Sequence, residues 1–462
     1  MFERGVELRL PFRFGAVTLT ACPQAFVRVR VTFGTGAGAT GASAELLVPK
    51  WFDKAASKSD AQNIEELRSS LRAAAAAYTS DRTARTAFGH SAAHYRPLID
   101  AAAKRGTNAL TACYGPALID RAILDAVCRH RRISFHVAMR ANVPAIDAGT
   151  LAPDLHDFDL AGFLAQLEPR PSVAARHTVG MLDAITAADR VARVDDGLPE
   201  SLEEVIEVYG HRYFKVKLRG ELASDVERLT AVAAVLDRMS DGYFVTLDGN
   251  EQYTEPDGIE SLWQSISGRP LLSRFSRSVM WIEQPLSRDG AQHASVAALA
   301  DLKPVLIDES DGTIEAFAEA RRLGYSGVSS KSCKGVYKSV LNAARCAQWN
   351  EAGGDRRYFM SAEDLTMQAG LAVQQDLALV SLLGLTHSER NGHHYVNGFA
   401  GAGAGEAEQQ RFLSAHPDLY ERSHGSVRLG IRGGVIALGS LDQAGFASGA
   451  EPDWDSLDSM GR

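Results

Sequence analysis

Two periodicities divide the chain. Between residues 6 and 48, apolar and polar positions alternate in short runs: "VELRLPFRF", "AVTLT", "AFVRVRVTF" and "SAELLVP". Alternation with period two, broken by turn residues, predicts strands in an antiparallel meander. From about residue 60 the spacing becomes helical in "AQNIEELRSSLRAAAAAY", "AAHYRPLIDAAAKR" and "GPALIDRAILDAVCRHR". In the last of these, Pro116 suits a first helical turn, and Leu118, Ala122 and Asp125 share one face. A meander followed by helices makes an α+β first domain, expected over 1–150. The segment "ANVPAIDAGTLAPDLHDFD" reads as a loop or linker.

Beyond residue 175 the pattern changes again. Short apolar runs ("RHTVGMLDAI", "YFKVKL", "YFVTLD", "VMWIEQ", "PVLIDE", "GVSSKS", "RYFMSAED") alternate with helical segments, and a last strand is expected near "THSERN". Continuous apolar runs predict strands buried on both faces of a parallel sheet. Repeated βα units with right-handed crossovers make this an α/β chain with a modified TIM barrel, (β/α)7β-like, over 151–415. In 416–462, "SVRLGIRGGVIAL" predicts two short strands around a Gly-Gly turn, returning to the first domain. The final "EPDWDSLDSMGR" is expected to fray.

Two glycine-rich stretches carry no site. Gly36, Gly38 and Gly41 spell G-x-G-x-x-G, but a strand follows where a dinucleotide site needs a helix. They read as a flexible hairpin loop, and "GFAGAGAGEAE" as a mobile connection.

The candidate chemistry sits where the apolar runs stop. Lys215 and Lys217, Asp248, Glu283, Asp308 and Lys331 each stand at the C-terminal end of a predicted strand, the end at which such barrels place their active sites. Asp248, Glu283 and Asp308 come from three successive strands, about one βα unit apart. Three close carboxylates repel one another unless a cation joins them, and all-oxygen ligation favours Mg2+, with Mn2+ as the alternative. Asn250 is placed to support the set, and Glu309 is the rival to Asp308 because adjacent strand residues point to opposite faces. Lys215 and Lys217 share a face, with Lys331 across the mouth. Amines near one another and near a cation are expected to have depressed pKa values, leaving one neutral as a base. A metal between lysines suits removal of the proton α to a carboxylate through an enediolate. Glu363, at the seventh strand end, is a further candidate.

The series Lys-x-Lys, Asp-x-Asn, Ile-Glu-Gln-Pro, Asp-Glu-Ser and a sixth-strand Lys resembles the enolase superfamily, in its muconate-lactonising branch of the mandelate racemase/muconate lactonising enzyme family. The resemblance extends to "PFRFG" and "WFD" of a capping domain and to "YGPALIDRAILDAVCRHR" as a linking helix. It implies Asp248, Glu283 and Asp308 as metal ligands and Lys217 and Lys331 as acid/base groups on opposite faces of the substrate. Lys215 would be their electrostatic partner, and capping loops near Phe12 to Phe14 and Lys50 to Phe52, including Trp51, would close over a small carboxylate. There are departures. The Gly-Gly pair expected after the sixth-strand Lys is reduced to Gly335, which makes Lys334 a competitor to Lys331, though one past the strand end. No His ends the seventh strand, which disfavours the mandelate-racemase branch. His387, His393 and His394, in the 386–398 loop, read as surface groups more readily than as substrate contacts.

The implied reaction is racemisation or epimerisation, or cycloisomerisation. Dehydration of an acid sugar is the alternative, and a silent binding barrel the rival of another class. The net charge of −8, without a basic tract, argues against nucleic acid and anionic membranes. No apolar h-region opens the chain, and five cysteines without metal spacing read as reduced thiols, so a cytoplasmic protein is expected. The family habit of assembling implies a homo-oligomer.

Overall fold

Strands β1 (Phe2–Phe14), β2 (Val17–Thr32) and β3 (Gly38–Leu46) form an antiparallel sheet. The computed structural model describes the chain from residue 1 to 462 except Ala16, Val191, Asp355, Arg356 and Arg462. "AVTLT" and "AFVRVRVTF" are one strand rather than two, because Pro23 sits opposite Gly5 and the ladder runs on through the pair. Helix α3 (Ala109–Arg131) packs on the sheet, and α1 (Asp60–Ser80) and α2 (Ala87–Ala103) pack against α3. Ser59 and Gln62 form a capping box at the start of α1, and Asn108 caps α3 by accepting from the Thr111 amide.

The early start of α3 corrects the placing of Pro116, which lies inside the helix and not in its first turn. A proline there leaves the carbonyl four residues back without its amide. Ser70 of α1 fills the gap, its hydroxyl donating to the Ala112 carbonyl at 2.9 Å. Gly41 is likewise no loop residue. It lies in β3, where a Cβ would come within 2.1 Å of the Ala122 carbonyl oxygen, so glycine lets sheet and helix touch.

The second unit is a curled parallel sheet. Its strands are β4 (Ser172–Val179), β5 (Tyr213–Lys217), β6 (Phe244–Asp248), β7 (Val279–Glu283), β8 (Val305–Ile307), β9 (Gly327–Ser330), β10 (Phe359–Ala362) and β11 (His387–Glu389). They run in the order β10-β9-β8-β7-β6-β5-β4-β11. β10 and β11 meet without a backbone ladder, and side chains close the seam. The Asp364 amide donates to Glu389 Oε2 at 3.1 Å, and the Asn391 amide to Asp364 Oδ2 at 3.1 Å.

The tail departs from expectation. β12 (Tyr420–Ser423) and β13 (Ser426–Leu429) form a hairpin, while β14 (Val435–Ala437) pairs with β4 of the barrel and not with the first domain. The turn at Gly433 and Gly434, both at positive φ, is as predicted; its partner is not. Residues 454–459 are held in place instead of fraying: β15 (Asp458–Ser459) pairs with β1, and Trp454 packs on Phe2, while Arg462 lies outside the described residues. The "GFAGAGAGEAE" segment is packed as well. Phe399 is buried against Phe412 and Tyr420, and a Cβ on Gly398 would meet the Val427 carbonyl oxygen at 2.3 Å. Among the described residues no helix is long and apolar enough to cross a membrane.

Candidate active site at the barrel mouth

Strand parity builds the site. Alternate residues point inward, so Lys215 and Lys217 of β5 share the interior with Asp248 and Glu283, which end their strands. Asp308, Lys331 and Glu363 follow the last residues of β8, β9 and β10, and Glu389 ends β11. All eight side chains are buried. Lys215 Nζ sits at the centre, 2.8 Å from Glu283 Oε1, 2.7 Å from Glu363 Oε2, and 3.0 Å from both Glu389 Oε2 and Asp248 Oδ2. Lys217 Nζ is 2.6 Å from Asp248 Oδ2. On the far side, Lys331 Nζ is 2.7 Å from Asp308 Oδ2. β5 and β9 lie four strands apart in the sheet order, so Lys217 and Lys331 face each other across the mouth.

The titration behaviour reverses one expectation. Burial alone lowers the pKa of Lys215, but Asp248, Glu283, Glu363 and Glu389 outweigh it and raise it well above the usual lysine range. Lys331 follows the same pattern: burial lowers it, Asp308 more than compensates, and its pKa is raised. The predicted depression is absent at Lys215 and Lys331 because each of these ammonium groups gains a buried carboxylate at contact distance. Burial pushes Asp248 and Asp308 up, yet Lys215 with Lys217, and Lys331 with Lys334, hold them below the ordinary aspartate value. Glu283 goes the other way. Burial, then Asp248 and Glu363, raise it well above the usual glutamate range.

Glu283 is also where the donor set fits a cation. Its Oε2 is buried without a hydrogen-bond partner. Around it the acids Asp248 and Asp308, on flanking strands, offer further oxygens, and all-oxygen ligation from carboxylates suits Mg2+ or Mn2+. Two three-ligand groups come within 4.8 Å among the described residues, His177 with His211 and His393, and Asp81 with His90 and His94. The carboxylates at the mouth are instead each held by a lysine.

Neighbouring groups set these acids in place. Gln284 Oε1 accepts from the backbone amides of Asp308 at 2.7 Å and Ser310 at 3.1 Å, which explains the Gln after Glu283 and which sequence reading left without a role. The Asn250 amide donates to Asp248 Oδ1 at 2.8 Å, and its side chain donates to Glu309 Oε1 at 3.0 Å. Asp308 faces the lysines, whereas Glu309 turns toward the capping domain, 2.9 Å from Lys54 Nζ. Lys334 is not remote, as its place past the strand end implied. Its ammonium is buried, 2.9 Å from Asp308 Oδ1, and donates to the Asp308 carbonyl at 2.7 Å. So bound beneath Asp308, it holds that carboxylate while Lys331 faces the cavity.

The cap closes directly on this centre. Phe12, Phe14, Val48 and Trp51 line a cavity of about 20 Å³ together with Lys217, Lys331, Glu389 and Asn391. Lys331 Nζ lies 4.0 Å from the centroid of the Trp51 ring, a cation–π contact. Arg288 donates to the Phe52 carbonyl at 2.6 Å and pairs with Glu251 at 2.9 Å, while Lys54 reaches Glu251 at 2.8 Å. Burial raises Glu251, but Lys54 and Arg288 reverse this and bring it from 4.5 to about 2. A depressed carboxylate contributes stability above its unfolded pKa, and that contribution is lost as pH falls from 4.5 through about 2. Glu251→Gln is therefore expected to lose on the order of 2–3 kcal/mol at pH 7 and to flatten the acid limb. Denaturant melts between pH 2 and 6 check this; an unchanged acid limb contradicts it.

Glu389 was missed in the sequence. Its strand is only "HSE", with no apolar run to announce it. The histidines of that loop were misplaced: His393 and His394 are buried rather than at the surface, and neither lines the cavity. His387 sits at the opposite end of the barrel interior, stacked on Tyr213 and Trp281.

Residues 197–350 match a family model described as enolase C-terminal domain-like. Comparison with curated protein sequences finds no match. Among solved structures, a mandelate racemase/muconate lactonizing protein from Herpetosiphon aurantiacus superposes with a TM-score of 0.58 at 16% identity, over 97% of this chain and 96% of that one. A 2-chloromuconate cycloisomerase from Rhodococcus opacus gives 0.55 at 17% identity, over 98% and 96%. A dipeptide epimerase from Cytophaga hutchinsonii, complexed with Mg and a dipeptide, gives 0.57 at 14% identity, over 99% and 96%. At such identities the likeness establishes a shared fold, and that fold joins this capping sheet to this barrel.

Proposed function

We propose, from an enolase C-terminal domain-like segment over residues 197–350 and the lysines set across its mouth, that the protein removes and returns the proton α to a small substrate carboxylate, as a racemase/epimerase or a cycloisomerase. The single observation that carries this reading is the shared cavity: Lys217 and Lys331 line it from opposite strands. A planar carbanionic carbon between two amines gains or loses a proton on either face, which is the requirement for epimerisation. Lys331 is held as an ammonium by Asp308, so in this arrangement it is the proton donor. Lys215 stays charged among four carboxylates and supplies fixed positive charge beside the reacting carboxylate. Phe12, Phe14 and Trp51 exclude water. A cavity of about 20 Å³ admits no substrate, so one of these segments must open for entry.

Asp248, Glu283 and Asp308 are the residues that would hold Mg2+. When bound, the ion would supply charge stabilisation to the substrate carboxylate and compete with Lys331 for Asp308. Glu283→Gln is expected to abolish Mg2+ binding by calorimetry with little loss of stability, since an amide oxygen in the place of Glu283 Oε1 still accepts from Lys215 Nζ. Normal Mg2+ binding by that variant sinks the ligand assignment.

The reaction itself is tested by deuterium exchange from solvent into a panel of dipeptides, N-acyl amino acids, acid sugars and muconolactones, followed by proton NMR. Exchange at the α-carbon of at least one class is expected. Silence across the panel with Mg2+-loaded protein favours a binding barrel without turnover.

A further inference from the structure

We infer that His177, His211 and His393 form a second metal site, for zinc or a neighbouring first-row divalent ion, separated from the carboxylate centre by the barrel wall. His177 lies on β4 between Arg176 and Thr178, whose side chains point into the barrel toward Glu363 and Glu389. Parity therefore turns His177 outward. There it meets His211, just before β5, and His393, in the segment after β11. One nitrogen from each ring lies within 4.8 Å of the other two. All three side chains are buried.

The geometry goes beyond proximity. His211 Nδ1 is 3.0 Å from the Ala175 carbonyl oxygen, which makes it the donor and leaves Nε2 as the lone-pair nitrogen. That Nε2 lies 3.2 Å from His393 Nε2, a hydrogen-bond distance at which His393 Nε2–H is the donor, and a bound ion would take the place of that proton. Two nitrogens bound to one tetrahedral zinc at about 2.0–2.1 Å are separated by roughly 3.3 Å, so the spacing is that of neighbouring ligands. The carbonyl bond to His211 is the outer support that metal-bound histidines usually carry. His177 Nδ1 and His393 Nδ1 have no hydrogen-bond partner although both are buried, and neither does Nδ1 of the adjacent His394. The hydrogen bond accounts for the His211–His393 pair, and the buried His177 Nδ1 is the nitrogen that packing alone leaves without a partner. Burial lowers all three imidazoles below their ordinary value, His211 to about 4, so at neutral pH they carry the lone pairs that ligation uses. Arg428 is turned to the backbone side, donating to the His393 carbonyl at 2.9 Å. With three imidazoles and no thiolate, the set suits zinc, and the hard cation of the barrel mouth is disfavoured. The fourth position is open to water.

An ion there would tie together β4, the entry to β5 and the segment following β11. That segment carries Asn391, which lines the cavity, and Tyr395, whose ring packs against Phe12 of the cap with centroids 4.4 Å apart. The site would thus brace one wall of the substrate chamber without touching substrate.

The test is metal content. The full chain is expressed in zinc-supplemented medium, dialysed against buffered Mg2+ and analysed by plasma mass spectrometry. About one zinc per chain is expected in the wild type and in His94→Gln, and less than about a tenth in His177→Gln, His211→Gln and His393→Gln. Wild-type protein that holds no zinc, even after refolding with it, overturns the site. So does zinc that persists in the three variants or disappears from His94→Gln, which would place it at Asp81, His90 and His94. If the variants fail to fold, zinc-edge X-ray absorption of the wild type decides, and fewer than three imidazoles around the ion refutes the assignment.

Discussion

Lys331→Ala is expected to lower α-proton exchange by about 10³-fold or more for the enantiomer whose α-proton faces Lys331, while the protein stays folded. The loss follows from geometry. Lys331 is the amine on its side of the cavity that faces the space beneath Trp51, and Lys334, its neighbour in sequence, is spent on the Asp308 carbonyl and carboxylate. Stability is spared because Lys334 still pairs with Asp308 after the truncation. Lys217→Ala is the mirror experiment. In a substrate of fixed configuration each variant should retain exchange initiated from the other face, so opposite enantiomers lose activity in the two variants. Proton NMR in deuterated buffer with both enantiomers reads this. Equal loss for both enantiomers in each variant would mean that the lysines act as one unit on one face.

Lys215→Met should have the largest effect on stability. The variant leaves Asp248, Glu283, Glu363 and Glu389 buried around a missing ammonium. Removing one partner of a buried ion pair costs about 3–5 kcal/mol, and here one cation serves four acids. The sign with pH follows from linkage. Without Lys215 the folded pKa values of these acids rise above their unfolded values. Acids with raised values destabilise at high pH, and the penalty fades as pH falls toward their unfolded range. The deficit relative to wild type should therefore be greatest at pH 8 and shrink by pH 5, and millimolar Mg2+ should recover part of it. Urea melts at both pH values, with and without Mg2+, provide the measurement. A deficit independent of pH would mean that lost packing, and not charge, is the cause.

Both experiments rest on residues that were legible one at a time. Lys215, Lys217, Asp248, Glu283, Asp308 and Lys331 could be found because each stands at the end of a short predicted strand, and a charge at that position in a buried strand has few places to point except the barrel mouth. Glu363 was found on the same ground. Glu389 was not, because a three-residue strand gives no periodicity to read, although it contacts Lys215 as closely as Asp248 does. Gln284 was visible as part of a motif, but its work, holding the amides of Asp308 and Ser310, depends on a neighbouring strand. The burial of His393 and His394 was beyond local reading, since the loop that bears them looks polar until it folds against β4 and β5.

The amino-acid order alone determined the alternation of strands and helices, the barrel and its cap, and the placement of the charged groups at strand ends, because period and strand parity are local properties. Tertiary structure decided which amine faces the substrate space, which acids their neighbours push up or hold down in pKa, where the tail strands pair and what the histidines surround. Those outcomes depend on through-space distances of a few ångströms between residues far apart in sequence, where burial and neighbouring charge set the energy and no local pattern records it.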